Sequence, residues 1–143
     1  EIEYMTKPTS AEQKKILAMP DEDYMNDLQS RFFERLLHHE RNELINHIDY
    51  LRSQLERSEQ HGDEADKAIR EEELRLLFRQ IDRETRLLPK FDAALQRIKQ
   101  GEYGFCRETG DPIGLARLLL RPTAELSIDA KIKQEKVEAQ YRK

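Results

Sequence analysis

Residues 41–84 read RNELINHIDYLRSQLERSEQHGDEADKAIREEELRLLFRQIDRE, two heptad-patterned stretches mirrored about Gly62-Asp63-Glu64-Ala65-Asp66-Lys67-Ala68. In the first, Arg41, Leu44, Ile48, Leu51 and Leu55 recur at alternating spacings of three and four, the a/d seam of a coiled coil. In the second, Arg70, Leu74, Leu77, Ile81 and Glu84 do the same. If the chain reverses between Gly62 and Asp63, Leu44 faces Ile81, Ile48 faces Leu77 and Leu51 faces Leu74. That register sets Arg41 opposite Glu84, so these two charged seam residues neutralise each other instead of being buried alone. The pattern predicts an intramolecular antiparallel hairpin with carboxylates at its turn.

Outward from the turn, the first arm is expected to run as one helix from about 23 to 60 and the second from about 64 to 100. At 1.5 Å per residue each would be roughly 50 Å long. The start of the first arm, with Leu28, Phe32, Phe33, Leu36 and Leu37 on more than one face, reads as the base of the hairpin packed in a globular part. Pro89 interrupts the second arm, but Leu88, Phe91, Leu95 and Ile98 keep the heptad phase across it, which predicts a kink and not a boundary. Ahead of the hairpin, Ser10 followed by Gln13 reads as a capping box opening a short helix that Pro20 ends. After it, Gly101-Glu102-Tyr103-Gly104-Phe105 and Asp111-Pro112 predict turns and short extended structure. Ile113, Leu115, Leu118, Leu119, Leu120, Leu126 and Ile128 are candidate core residues, and a locally basic helix should close the chain over about 127–141.

The fold class expected is therefore mainly α: a long antiparallel coiled-coil hairpin plus a small globular module and a C-terminal helix. The division expected is an N-terminal segment over 1–27, the hairpin over 28–100 with its tip at 60–68, and the distal module over 101–143.

Composition narrows the function. The 143 residues are 38% charged and 37% hydrophobic, with five glycines and no tryptophan, which suits an elongated helical chain with a small core. No apolar run has the length of a membrane span and no basic-then-apolar leader opens the sequence, so the expected location is the cytoplasm. Beginning at Glu1, the sequence is expected to lack its natural N-terminal residues. A net charge of −4 argues against autonomous binding to nucleic acid, whose phosphates reward basic surfaces; a protein partner fits better. There is no phosphate loop, no GxSxG and no HExxH, so no catalytic residues are assigned and the chain is not expected to be an enzyme. His38, His39, His47 and His61 form no recognisable ligand set, and Cys106, with no histidine nearby in the sequence, reads as a core thiol.

Asp63 and Asp66 suit the N-terminus of the second arm as a cap and a dipole partner. Capping does not explain a turn kept small by Gly62, Ala65 and Ala68, and polar contact with a partner is the second reading. Two carboxylates are too few for an all-protein magnesium site. Lys90, Arg121 and Lys131 would make a phosphate-binding cluster if the distal module brought them together.

The sequence resembles the DksA/TraR family of bacterial transcription factors, which act on RNA polymerase without binding DNA. The resemblance runs from about residue 21 onward. It rests on Tyr24-Met25-Asn26, Asp63-x-x-Asp66-x-Ala68, Glu71-Glu72-Glu73 and Asp82-Arg83-Glu84. In the distal module it rests on Gly101-x-Tyr103-Gly104-x-Cys106, Ile113-Gly114, Arg117-Leu118 and Arg121-Pro122-Thr123-Ala124-x-Leu126-x-Ile128-Asp129-x-Lys131. It implies a hairpin that enters the polymerase secondary channel, with Asp63, Asp66 and Ala68 as the functional tip near the active centre. It also implies an effector, guanosine tetraphosphate (ppGpp), held between the polymerase and Lys90, Arg121 and Lys131.

One departure stands out. The family pattern is a four-cysteine zinc finger, whereas here the four positions read Cys106, Thr109, Ser127 and Ala130. Zinc is therefore not expected as a cofactor, and the chain reads as a monomeric, zinc-independent DksA paralogue that maintains regulation when zinc is scarce, with a degenerate finger stabilised by burial alone. The alternatives are a Gre-like transcript-cleavage factor, against which the order of domains argues, and a coiled-coil scaffold.

Overall fold

The computed structural model describes residues 6–60 and 67–141. Its elements are helix α1 (Ser10–Leu17), a 3-10 turn (Asp21–Asp23), α2 (Asp27–Gln60), α3 (Lys67–Thr85), α4 (Leu88–Gln100), α5 (Leu115–Leu120) and α6 (Ile128–Tyr141). Among the described residues the one β feature is an isolated antiparallel bridge between Phe105 and Pro112, and no helix is long and apolar enough to cross a membrane. The chain divides into a unit of residues 1–39 with 91–143 and a unit of residues 40–90.

In the larger unit, α1 starts one residue earlier than the capping pattern predicted. Thr9, not Ser10, is the N-cap: its hydroxyl accepts from the Glu12 N–H at 3.2 Å while the Glu12 carboxylate accepts from the Thr9 N–H at 3.2 Å. Glu12 also receives the guanidinium of Arg35 on α2, with Nη2 to Oε1 at 3.3 Å. The Arg35 bond, followed by the Thr9 N–H, holds the Glu12 carboxyl below its ordinary range.

The long helix α2 begins at Asp27 and not near 23. The acidic run Asp21–Asp23 closes a 3-10 turn instead, and Met25 then adopts a left-handed φ of 56°, which a continuing α-helix forbids. Asn26 restarts the helix: its Oδ1 accepts from the Gln29 N–H at 2.9 Å, and Gln29 Oε1 reaches back to the Met25 N–H at 2.7 Å. Gln29 is 1% exposed, and its amide nitrogen lies 3.5 Å from both Ile16 O and Met19 Sδ. This buried polar side chain thus joins α1, the turn and α2.

The core of this unit gathers Ile16, Phe32, Phe33, Leu37, Ala94, Tyr103, Cys106, Ile113, Leu118, Leu126 and Ala130. Phe33 lies edge-on to Phe32 and tilted against Tyr103, with ring centroids 5.2 and 5.7 Å apart, and the Tyr103 hydroxyl donates to Pro122 O at 2.7 Å. Two expected core residues are on the surface. Leu120 is 85% and Ile128 54% exposed. Each sits two residues from a buried partner, Leu118 on α5 and Ala130 on α6. Two residues turn a helix through about 200°, so both cannot face inward.

The unit of residues 40–90 contains the heptad hairpin. Ile48 and Leu51 on α2 are buried, and Leu44, Leu55, Leu74, Leu77 and Ile81 are partly buried, as the seam requires. The second arm is two helices instead of one kinked helix. Pro89 has no N–H to give the Thr85 carbonyl and its ring crowds that oxygen, so α3 stops at Thr85. Pro89 is then accommodated in the first turn of α4, where its missing donor costs no hydrogen bond.

Glu84 was predicted to meet Arg41. Its carboxylate instead binds His47 Nδ1 and accepts from Gln80 Nε2 at 3.1 Å. Burial pushes this carboxyl up, but the His47 and Gln80 hydrogen bonds and the charges of His47 and Arg83 outweigh it, so the net shift is downward. A depressed carboxyl stabilises the fold above the unfolded-state pKa, near 4.3, and loses that contribution as pH falls through its folded value. Glu84→Gln is therefore expected to melt below the wild type at pH 7. The gap should close on acidification below about pH 4.5; a gap that stays constant from pH 7 to pH 3 would contradict this reading of Glu84.

Candidate functional site

Three groups of residues carry the functional expectations. At the hairpin turn, Asp63 and Asp66 lie outside the described residues, whereas Ala68 is exposed in the first turn of α3. Its methyl leaves that surface small.

Lys90 is exposed on α4 within the unit of residues 40–90. Arg121 and Lys131 belong to the other unit. Arg121 is the exposed residue that ends α5, its N–H donating to Arg117 O at 2.8 Å and its carbonyl accepting from Ala124 N at 2.9 Å. Lys131, half-buried in the first turn of α6, has its Nζ 3.5 Å from Gln134 Oε1. The two backbones are fixed by helix ends.

The loop at 101–114 shows why its glycines recur in the sequence. Gly104 has φ 90°, and a Cβ there would lie 2.8 Å from Met25 Cγ, 2.9 Å from Met25 Sδ and 3.2 Å from Tyr24 Oη. The Tyr24 hydroxyl donates to Gly104 O at 2.6 Å and accepts from Gly114 N at 2.9 Å, while its ring meets Phe105 edge-on at 5.4 Å. One tyrosine thus clamps both ends of the loop. Within it, Cys106 N donates to Asp111 O at 2.7 Å, and Gly110 N returns a bond to Cys106 O at 2.8 Å. Arg107 N donates to Glu125 O at 2.8 Å, which brings the second half of the module alongside.

These bonds assemble the four finger positions. Ser127 Oγ accepts from the Ala130 N–H at 3.2 Å, and the Thr109 hydroxyl and the N–H groups of Ser127, Thr109 and Glu108 act on the Cys106 thiol as donors that favour its charged form. Burial pushes the Cys106 thiol up, but those hydrogen bonds prevail and bring it down to about 6. A depressed thiol contributes stability above its unfolded pKa, near 8.5, and loses it as pH falls through the folded value. Thiolate absorbance should titrate near pH 6 in the folded protein; a midpoint near 8.5 would overturn the assignment of those donors.

An antiparallel two-helix unit, joined in one chain to a helical unit with a knuckle-like loop, defines a class of hairpin-bearing, finger-type proteins. Residues 29–98 match the family model described as the DnaK suppressor protein DksA, N-terminal domain, and residues 101–136 that of the prokaryotic dksA/traR C4-type zinc finger. The chain is 42% identical over 123 residues to the RNA polymerase-binding transcription factor DksA of Caulobacter vibrioides (strain NA1000 / CB15N), covering 85% of this chain and 87% of that one. With the protein of that name from Escherichia coli (strain K12) it is 37% identical over 113 residues, 78% of this chain and 75% of that one. A solved structure, transcription factor DksA2 from Pseudomonas aeruginosa, superposes with a TM-score of 0.83 at 49% identity, covering 89% of this chain and 98% of that chain. The chain belongs to the DksA family.

The family match corrects one expectation. The sequence reading excluded zinc as a cofactor; residues 101–136 match a C4-type zinc finger, so the module is a zinc-finger fold and that exclusion does not stand. Its four positions hold one thiol, two hydroxyls and the methyl of Ala130, and among the described residues no three His, Cys, Asp or Glu side chains gather as a ligand set. The residues present do not make the four-thiolate set a C4 site uses.

Sequence reasoning passed over His47 and Gln29. His47 was grouped with the other histidines, though its place beside seam residue Ile48 is a signal that it borders the hairpin interface. Gln29, three residues after Asn26, carried the signature of a helix start.

Proposed function

We propose that this protein regulates transcription by inserting its hairpin into the secondary channel of RNA polymerase. The tip residues Asp63, Asp66 and Ala68 then approach the active centre and destabilise open complexes at sensitive promoters such as those for stable RNA. It neither binds DNA nor catalyses a reaction. The observation that carries this reading is the heptad seam closed around Ile48 and Leu51, with an acidic stretch of sequence between its two helices. The relatives from Caulobacter vibrioides and Escherichia coli, RNA polymerase-binding transcription factors, support the choice of partner.

In this reading ppGpp is held between the polymerase and Lys90, Arg121 and Lys131. Ammonium and guanidinium groups bind phosphate oxygens by charge-assisted hydrogen bonds, and the exposure of Lys90 and Arg121 leaves them available. Transcription from a ribosomal RNA promoter with purified polymerase tests the proposal. The wild type is expected to inhibit and ppGpp to deepen the inhibition. Lys90→Ala, Arg121→Ala and Lys131→Ala should lose only the ppGpp-dependent part. Inhibition that ppGpp deepens equally in all three variants would remove these residues from the effector site, and stimulated cleavage in stalled complexes would point to a Gre-like activity.

A further inference from the structure

Lys131 carries its charge where the fold gains little from it. It lies in the first turn of α6, where the positive end of the helix disfavours a cation, and it is half-buried, whereas Arg121 is exposed. Asp129 supplies the negative charge which that end favours. Two residues turn a helix through about 200°, however, so Asp129 faces away from Lys131. The ammonium turns instead to the amide oxygen of Gln134, 3.5 Å from Nζ. Glu135, four residues on, offers a carboxylate at a spacing that ordinarily pairs with lysine, yet among the described residues Lys131 and Glu135 form no ion pair. Gln134 is half-buried beside the lysine and Glu135 is exposed. The difference matters chemically. A carboxylate partner would neutralise the ammonium, whereas an amide oxygen restrains it and leaves its charge for an anion.

The restraint also falls on the one part of this residue that the backbone leaves free. Ser127 O accepts the Lys131 N–H at 2.9 Å, and Ser127 Oγ accepts the Ala130 N–H at 3.2 Å. The connector that leads from Arg121 into α6 is tied as well: the Tyr103 hydroxyl donates to Pro122 O at 2.7 Å and Arg117 Nε to Leu126 O at 3.1 Å. What remains mobile is the four-carbon stem of Lys131, a flexible arm with a compact charge at its end. A side chain ordered before its ligand arrives has less freedom to lose on binding.

We propose that Gln134 is a positioning residue of the effector site: it holds the Lys131 ammonium in place without neutralising it, and so sets the affinity for the phosphates of ppGpp. This rests on the effector reading above and deepens it. Lys131 makes the contact, and Gln134 acts through Lys131.

Titration of ppGpp in transcription from a ribosomal RNA promoter, with the full chain and purified polymerase, tests it alongside thermal melts of each variant. Gln134→Glu is expected to raise the ppGpp concentration for half-maximal effect about tenfold, because the new carboxylate both pairs with Lys131 and repels phosphate. Gln134→Ala should raise it about threefold, through the lost restraint alone. In both, the inhibition reached at saturating ppGpp and the melting temperature should match the wild type, which a loosened α6 would not allow. Higher salt should narrow the gap between the two variants, and Glu135→Gln should stay within about twofold of the wild type. Wild-type inhibition that ppGpp does not deepen overturns the effector reading and this role with it, and so does deepening that Lys131→Ala leaves intact. Deepening that Lys131→Ala abolishes, but that Gln134→Glu or Gln134→Ala leaves at the wild-type concentration, overturns the role of Gln134 alone. Equal rises in the two Gln134 variants, a lowered maximum, or a change in Glu135→Gln as large as theirs also overturns it.

Discussion

Phe33→Ala is expected to unfold most of the unit of residues 1–39 and 91–143 at physiological temperature. Phe33 is fully buried between Phe32 and Tyr103 in the centre of that unit's core. Removing a buried phenylalanine ring costs about 3–5 kcal/mol in lost transfer energy and residual cavity. A small domain holds only about 5–15 kcal/mol in all. The melting transition monitored through the tyrosines of this unit should fall by more than about 10 °C. A fall of only a few degrees would mean that the Phe33 site can collapse, or that the unit draws its stability from elsewhere. Phe33→Leu, which keeps most of the apolar volume, should recover much of the loss.

The second large effect is expected at Gly104. Alanine there has two separate costs. The left-handed φ of 90° costs a side chain about 1–3 kcal/mol. The new Cβ also overlaps Met25 at 2.8 Å and crowds the Tyr24 hydroxyl that closes the loop, where overpacking costs about another 1–3 kcal/mol. Gly110→Ala separates the two, because Gly110 has φ 78° but nothing within 4 Å of the added methyl. Urea denaturation should therefore show Gly104→Ala to be clearly the more destabilised, with part of the excess removed in a Gly104→Ala, Met25→Ala double variant. Equal costs at the two glycines would show that the close approach of Met25 contributes nothing.

What could be read from the sequence follows from which forces are periodic. The hairpin was legible because Leu44, Ile48, Leu51, Leu74, Leu77 and Ile81 repeat with the period of a coiled coil, and burial obeys that period. The partner of Glu84 was not, because a heptad register sets the height of Cα atoms along the seam and not the reach of side chains, which lean towards the start of their own helix. That lean brings His47, and not Arg41, to the carboxylate. The break after Thr85 could have been deduced from Pro89, since both its missing N–H and its ring act on residue 85. Met25 in a left-handed conformation had no local signal, because it is held by packing against Gly104, about eighty residues along the chain. The finger positions were found from the resemblance, but the bonds that converge on Cys106 come from the Glu108–Thr109 turn and from Ser127, which only the folded loop brings beside it.

In the proposed function, the acidic stretch between the two helices of the hairpin acts on RNA polymerase. Its most direct test compares wild type with Asp66→Asn in two assays on one preparation: equilibrium binding to polymerase, and transcription from a ribosomal RNA promoter. Asp66→Asn removes one charge from the acidic stretch and changes no residue of the seam or the finger module. The account predicts that the variant binds polymerase within a few-fold of wild type and loses inhibition. A variant that inhibits as strongly as wild type, or one whose inhibition falls only in proportion to its binding, would contradict it.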